Sequence, residues 1–263
     1  MDKVENFTEA EFYEVNFDSR AYIDTFYSNP GGHEDEKYLL FVLQQLSETF
    51  FLGKYKGQRL IEIGSAASIH CIISACAHFD QIIMSDFADS NRLELSRWLN
   101  EEPGCFDWGP VIREVCHMEK GRNPVEVEGL LRKRVKSVVK CDVRLENPFH
   151  PLTQEPADCV ITSLCLEAAC KDLPSYRAAL RNITSVLKPG GALVMTGALG
   201  ESFYVVAGQR FSCLRLTRED IKKALLDLQL SIVEFHILKW DSTQTNHVSD
   251  FDAMFYCVAV KSI

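Results

Sequence analysis

LIEIGSAAS (residues 60–68) and IIMSD (residues 82–86) decide how this chain folds. The first reads as an apolar strand running into a turn of small residues. The second reads as another apolar strand, ending on the carboxylate of Asp86. Glu62 and Asp86 stand 24 residues apart, the distance a strand, a helical connection and a second strand require. In α/β sheets ligands gather outside the carboxyl ends of the strands. A carboxylate at the tip of the second strand is placed to accept two hydrogen bonds from a ribose diol. The pair of strands therefore points to a nucleoside-containing cofactor.

A dinucleotide would demand glycines at GxGxxG spacing, so that backbone can approach a pyrophosphate. Here Gly64 is followed by Ser65, Ala66, Ala67 and Ser68, and no GxxxxGKS or GxxxxGKT phosphate loop occurs. S-adenosylmethionine carries a ribose and an adenine but no phosphate, and fits the residues present. The plainer reading of the same residues is a buried strand–turn–helix that binds nothing.

Composition bounds the rest. At 263 residues, of which 46% are hydrophobic, the chain has ample material for one large α/β domain. A net charge of −9 argues against nucleic acid and suits a small neutral or cationic substrate. The ten cysteines form no CxxC pair and have no paired histidines beside them, so no metal site is expected. Most lie in apolar runs, as free thiols of a reducing cytoplasm would. MDKVENFTEAEF at the N-terminus lacks the apolar centre of a signal peptide, and no apolar run reaches the ~18 residues of a membrane span.

Outward from the two strands, Asn29-Pro30-Gly31-Gly32 breaks the chain ahead of a helix from about Glu34 to Phe51. Strand one is expected at 59–63, a helix at 69–78, and strand two at 81–85. Asp89 is expected to cap a helix over 92–99. Residues 101–109 read as a loop and 110–136 as less regular, with a solvated helix face over 125–136 that carries the basic cluster Arg132, Lys133, Arg134 and Lys136. Strands three and four fall at 137–141 and 158–163. A helix at 173–187 stops at Lys188-Pro189-Gly190-Gly191, and strand five follows at 192–196. Thr217-Arg-Glu-Asp220 forms a capping box for a helix to 228. Strands at 232–240 and 253–260 close the chain as antiparallel neighbours. The alternation predicts a seven-stranded, mostly parallel sheet with helices on both faces.

The chain resembles a small family of methyltransferases, that of nicotinamide, indolethylamine and phenylethanolamine N-methyltransferases. The segments that carry the likeness are FYEVNFDSRAYIDTFY (12–27), LIEIGSAASIH (60–70), SDFADSN (85–91), RWLNEEPGCFDW (97–108), KCDV (140–143), the run from Ala157 to Gly191, and GALGESFY (197–204). The resemblance implies a Rossmann-like (class I) methyltransferase fold in one domain, with an N-terminal lid and helix over 1–55 and a core over 56–263. It implies S-adenosylmethionine as methyl donor and a small-molecule acceptor, in a monomer of the cytoplasm with no nucleic-acid or membrane partner. Tyr13, Tyr22 and Tyr27 match tyrosines of the lid. Gly64, Ser65 and Ser68 match the loop along the methionine moiety. Asp86 matches the acid of the ribose, with Phe87 and Asn91 beside it. Asp142 and Val143 match the pair that meets the adenine, and Ser163 a contact at the tip of strand four. The family's turn usually carries a glycine and a tyrosine where this chain has Ala66 and His70. An alanine there is strained if the position needs a positive φ. His70 either bonds the donor's carboxylate end or is a packed helix-face histidine.

For the acceptor, the resemblance implies Leu164, Ala168, Gly197, Ala198, Tyr204 and Cys213 as pocket residues, with a looser match at Asp250. An alkyl amine must shed a proton before it attacks, and a carboxylate can take it. Glu167 and Glu201 match glutamates of the phenylethanolamine branch and are the expected catalytic pair. The nicotinamide branch has an aspartate at the place of Gly197, which this chain lacks, although LCLEAACKDLP (164–174) looks nearest that branch. The expected function is N-methylation of a small arylalkylamine. Methylation of nicotinamide or another pyridine, methylation of a thioether, or a cofactor-binding homologue without activity are the alternatives.

Overall fold

The computed structural model describes residues 6–30, 37–240 and 248–263. Among the described residues nine strands form: β1 (Gly57–Ile63), β2 (Phe79–Asp86), β3 (Val135–Lys140), β4 (Ala157–Ser163), β5 (Leu187–Leu199), β6 (Phe203–Val206), β7 (Gln209–Ser212), β8 (Leu230–Lys239) and β9 (Ala253–Lys261). Seven join one sheet in the order β3-β2-β1-β4-β5-β9-β8. β9 alone runs against its neighbours, so the expected mostly parallel sheet and its closing antiparallel pair are both present. Leu60 to Ile63 of β1 and Cys159 to Thr162 of β4 are buried throughout, because helices cover both faces of a parallel sheet.

Winding leaves β1 towards β2 and β3 on one side, and towards β4 and β5 on the other. The carboxyl ends of β1 and β4 therefore flank the switch point where ligands bind such sheets. Register brings the strand tips to one edge: Ile63 lies beside Ser85 and Thr162, Asp86 beside Lys140, and Ser163 beside Thr196.

The helices are α1 (Ala10–Asn16), α2 (Ser19–Tyr27), α3 (Lys37–Phe50), α4 (Asp89–Leu99), α5 (Gly109–Met118), α6 (Pro124–Arg134), α7 (Leu166–Ala169), α8 (Leu173–Ser185) and α9 (Arg218–Asp227). α3 buries Leu39, Val42, Leu43, Leu46 and Phe50, a stripe of helical period. Gly31, Gly32 and the expected start of this helix at Glu34 lie outside the described residues. The capping box of α9 is present: the Asp220 N–H donates to Thr217 Oγ1 at 3.2 Å, and the Thr217 N–H to Asp220 Oδ2 at 3.0 Å.

Three local expectations need correction. The helix expected over 69–78 is instead two 3-10 turns, His70–Ile72 and Ala75–Ala77. Every residue from Ala67 to Cys76 is buried, so no polar face exists for an amphipathic helix, and Ile69, Ile72 and Ile73 disfavour one. The less regular stretch at 110–136 contains α5, which was not expected, as well as α6, which bears the expected helix face but ends at Arg134; each has proline in its first turn, and the Asn123 side chain accepts the Val125 N–H at 2.9 Å to cap α6. Asp89 does not cap α4 but begins it. Ala88 is the N-cap, its N–H donating to Asp86 Oδ1 at 2.9 Å.

The β6–β7 hairpin turns at Ala207 and Gly208, both at positive φ. It receives the N-terminal helices. Thr8 and Ser212 exchange two hydrogen bonds, Thr8 N–H to Ser212 Oγ at 2.7 Å and Ser212 N–H to Thr8 Oγ1 at 2.9 Å. Phe17, Val206 and Phe211 form a small core there, with Tyr13, Tyr22 and Tyr204 against it. α1 and α2 are thus packed on a hairpin, and no helix among the described residues is long and apolar enough to cross a membrane.

Candidate active site

A cavity of about 390 Å³ opens at the carboxyl edge of the sheet. This is the size and mixed apolar–polar character of a small-ligand site. Gly64, Ala66, Asp86, Asp142, Val143 and Ser163 line its floor at the tips of β1 to β4, and Tyr13, Tyr22 and Tyr27 of α1 and α2 roof it. Glu201, Tyr204, Cys213 and Ser249 line the far end, with Leu164 and Ala168 at the wall.

At the floor, Gly64 sits at φ +73°, where an added Cβ would lie 2.4 Å from Cys165 Sγ. The position needs glycine for both conformation and space. Asp86 is buried and holds the turn: Oδ2 accepts the Ala66 N–H at 2.8 Å, while Oδ1 accepts the Ala88 N–H and Asn91 Nδ2, each at 2.9 Å. Burial pushes its pKa up against these bonds. A carboxylate oxygen accepts two hydrogen bonds, so one lone pair of Oδ2 is unclaimed, and Asp86 as held here can take one further donor rather than the two expected from its place at the strand tip. The Val143 N–H has no acceptor among the described residues, and Ser163 Oγ and Tyr38 Oη are buried near one another without a hydrogen bond of good geometry. The floor thus offers unused donors and acceptors for a diol and a nucleobase, and no phosphate cradle.

Ser65, Ser68, His70 and Asn91 do not line the cavity; they stand behind it. His70 Nδ1 meets Ser68 Oγ at 2.9 Å and Nε2 meets Cys71 Sγ at 3.2 Å, with the Tyr27 ring 5.0 Å away. Burial lowers its pKa to about 3, so the ring is neutral and part of the core. Phe87 lines the cavity, and its ring has the Arg144 guanidinium at 5.2 Å.

Ala66 has φ +49°, the left-handed conformation that costs a non-glycine residue about 1 kcal/mol. Ala66→Gly is expected to raise stability by up to about 1 kcal/mol, read from denaturant unfolding, and to tighten ligand binding at the turn. Unchanged or lower stability would show that the turn is relaxed.

The two glutamates differ in placement. Glu201 is 6% exposed and faces the cavity, where Ser249 Oγ donates to its Oε1. Burial raises its pKa to about 7, against lowering by Ser249 and Cys213. Glu167, 3% exposed, stands behind the wall. Beyond the Ser163–Thr196 pairing β4 has ended, and Glu167 Oε1 takes the place of the missing strand by accepting the Ala198 N–H at 3.0 Å. Its pKa is also raised to about 7, by burial first. Gly197 makes room for it: a Cβ there would lie 2.4 Å from Glu167 Oε1. Gly197 and Ala198 are therefore part of the support for Glu167 and do not themselves line the cavity. Asp250 turns away, accepting Ser202 N–H and Oγ, each at 2.6 Å, and pairing with Arg215.

Tyr38, Arg144, Cys165, Phe211 and Ser249 also line the cavity, although sequence reasoning passed over them. Arg144 alone had a local signal, its adjacency to Asp142 and Val143. Among the described residues no cluster of metal-ligating side chains occurs.

Buried acids give the fold a pH signature. Burial raises Glu62 to about 8, so Glu62, Glu167 and Glu201 hold protons in the native state that the unfolded chain releases near 4.5. Their stabilisation is complete below about 4.5 and is lost as pH rises through about 7 to 8. His70 acts oppositely, adding stability as pH rises to about 6.5, where its effect is complete. From about pH 6.5 to 8.5 the glutamates set the slope. The melting temperature is expected to fall over that interval, less steeply in Glu62→Gln; a rise would contradict these environments.

Comparison with known proteins agrees with this geometry. The model of the NNMT/PNMT/TEMT family matches residues 5–262. Nicotinamide N-methyltransferase of Homo sapiens is 40% identical over 259 residues, covering 97% of both chains. Indolethylamine N-methyltransferase of Oryctolagus cuniculus is 44% identical, covering 86% of this chain and 87% of its own, and phenylethanolamine N-methyltransferase of Rattus norvegicus is 38% identical, covering 93% and 88%. Among solved structures, N-methyltransferase NodS from Bradyrhizobium japonicum, in complex with S-adenosyl-L-homocysteine, has a TM-score of 0.51 at 18% identity over 96% of each chain. The cyclase SpnF reaches 0.62 at 13% identity over the whole of both chains. These structures share the fold, and the last shows that the fold alone does not set the reaction.

Proposed function

Because this chain belongs to the NNMT/PNMT/TEMT family, we propose that it is an S-adenosylmethionine-dependent N-methyltransferase whose acceptor is the amine nitrogen of a small arylalkylamine. The observation that carries the choice of acceptor is Glu201: a buried carboxylate facing an aromatic cavity, with a pKa of about 7.

The residues at the floor fit the donor. Asp86 would hold the ribose through the open lone pair of Oδ2, Asp142 and the Val143 N–H would meet the adenine, and Tyr13, Tyr22 and Tyr27 would close the roof. When bound, S-adenosylmethionine supplies a methyl group on a sulfonium and leaves as a neutral thioether. The rest is the work of side chains. Tyr204, stacked on Phe211 at 5.3 Å, gives an aromatic acceptor a flat apolar wall. Glu201 attracts an ammonium and takes its proton, freeing the nitrogen lone pair, and Ser249 Oγ fixes the carboxylate for that task. Glu167 holds the end of β5 and with it the acceptor wall at Ala168. Most of the rate comes from holding acceptor and donor in line at near-contact distance.

A pyridine acceptor is the second reading, favoured by the identity to nicotinamide N-methyltransferase. A pyridine nitrogen needs no base, so Glu201 would be idle in it, and Glu167 occupies the space an acid at position 197 would need. All ten cysteines are free thiols, which supports a place in the reducing cytoplasm. We take the working form to be a monomer.

The test is transfer of label from methyl-labelled S-adenosylmethionine to a panel of amines, pyridines and thioethers. Transfer to primary or secondary arylalkylamines is expected. Binding of the donor without transfer to any nitrogen acceptor would overturn the proposal.

A further inference from the structure

We infer that Arg144 is a positioning residue for the nucleobase of the methyl donor: it locks the Asp142 carboxylate in the one orientation that leaves an acceptor lone pair open to an exocyclic amine. The inference rests on the reading of this cavity as the donor site.

Arg144 grips Asp142 three times. Its Nε donates to Oδ1 at 2.8 Å, its Nη2 to Oδ2 at 2.7 Å, and its own backbone N–H to Oδ1 at 3.0 Å. Two donors fill Oδ1, whereas Oδ2 receives one and keeps a lone pair. The fork admits one carboxylate plane, so Asp142 cannot rotate to present the filled oxygen instead. Burial raises the pKa of Asp142, but the Arg144 bonds outweigh it and hold the group below its ordinary value. Asp142 is therefore an acceptor only, suited to an amine and unsuited to a ring carbonyl. Arg144 itself lines the cavity and lies over Phe87, so its guanidinium is braced by a ring as well as by the carboxylate.

A stabilising surface ion pair does not account for this geometry. The Arg144 side chain is 38% exposed and that of Asp142 15%, so water reaches the pair and its contribution to folding is modest. Removing it is expected to leave stability nearly unchanged while altering which base is accepted.

The experiment compares, by calorimetry, S-adenosyl-L-homocysteine with S-inosyl-L-homocysteine, in which a carbonyl replaces the amine. The unmodified protein is expected to favour the adenine form at least tenfold. Arg144→Ala is expected to weaken the adenine form about tenfold and to cut the discrimination below threefold, with its melting temperature within about 2 °C of the parent. Arg144→Lys, which keeps the charge without the fork, is expected to lose most of the discrimination too. If Arg144→Ala fails to fold, Arg144→Gln carries the same comparison. Binding of neither ligand by the unmodified protein would overturn the donor site and this inference together. Adenine binding with no preference over the inosine form, or a preference that survives in Arg144→Ala or Arg144→Gln, would overturn the role of Arg144 and leave the donor site standing.

Discussion

Asp86→Ala is expected to reduce binding of S-adenosyl-L-homocysteine at least 100-fold and to destabilise the chain as well. The carboxylate holds three donors, the N–H groups of Ala66 and Ala88 and the Asn91 amide, in the turn after β1 and the start of α4. Alanine leaves all three without an acceptor in a buried place, at about 1–3 kcal/mol each. The burial that raises the pKa of Asp86 means that some of this is returned when the charge is removed, so a net loss of about 3 kcal/mol is expected. Ligand affinity falls for a separate reason, since the open lone pair of Oδ2 goes with the carboxylate. Calorimetric titration and denaturant unfolding of one preparation measure both. Full affinity in the variant would remove Asp86 from the donor site.

Glu201→Gln is expected to slow methylation of an alkyl amine by about 100-fold or more, the range that positioned acid–base groups contribute. Donor affinity should not move, because Glu201 lies at the other end of the cavity. In the parent enzyme the carboxylate must be ionised to accept a proton. Turnover should therefore rise with pH through about 7, and this step should vanish in the glutamine variant. Glu167→Gln tests the contrast. Glutamine keeps an oxygen that can accept the Ala198 N–H, so its effect should be several-fold rather than a hundredfold. Equal losses in the two variants would show that the two glutamates act together as acids and bases, contrary to the placement found.

The sheet and the floor of the cavity were readable because their signals are local. Apolar runs of strand length, a small-residue turn and acids at strand ends lie within a few residues of one another, and Asp142-Val143 follows β3 directly. The far end of the cavity was less readable. Nothing near Glu167 tells that β4 stops at Ser163 and leaves the Ala198 N–H to be satisfied, and nothing near Gly197 tells that its missing side chain houses that carboxylate. Ser249 reaches Glu201 from 48 residues away. The helix expected at 69–78 rested on the spacing between the first two strands, and a segment buried on every side carries no amphipathic period that could have tested it. Ala66 was the useful exception. Its departure from the family's glycine raised the question of a positive φ, and the structure has one.

If the cavity delivers a methyl group to an amine that Glu201 has deprotonated, a competition between acceptors will show it. Phenylethylamine, tryptamine and nicotinamide are supplied at equal concentration with a limiting amount of methyl-labelled S-adenosylmethionine at pH 8, and the labelled products are separated by mass. The label is expected in the two amines; recovery of the label in nicotinamide alone would contradict the account.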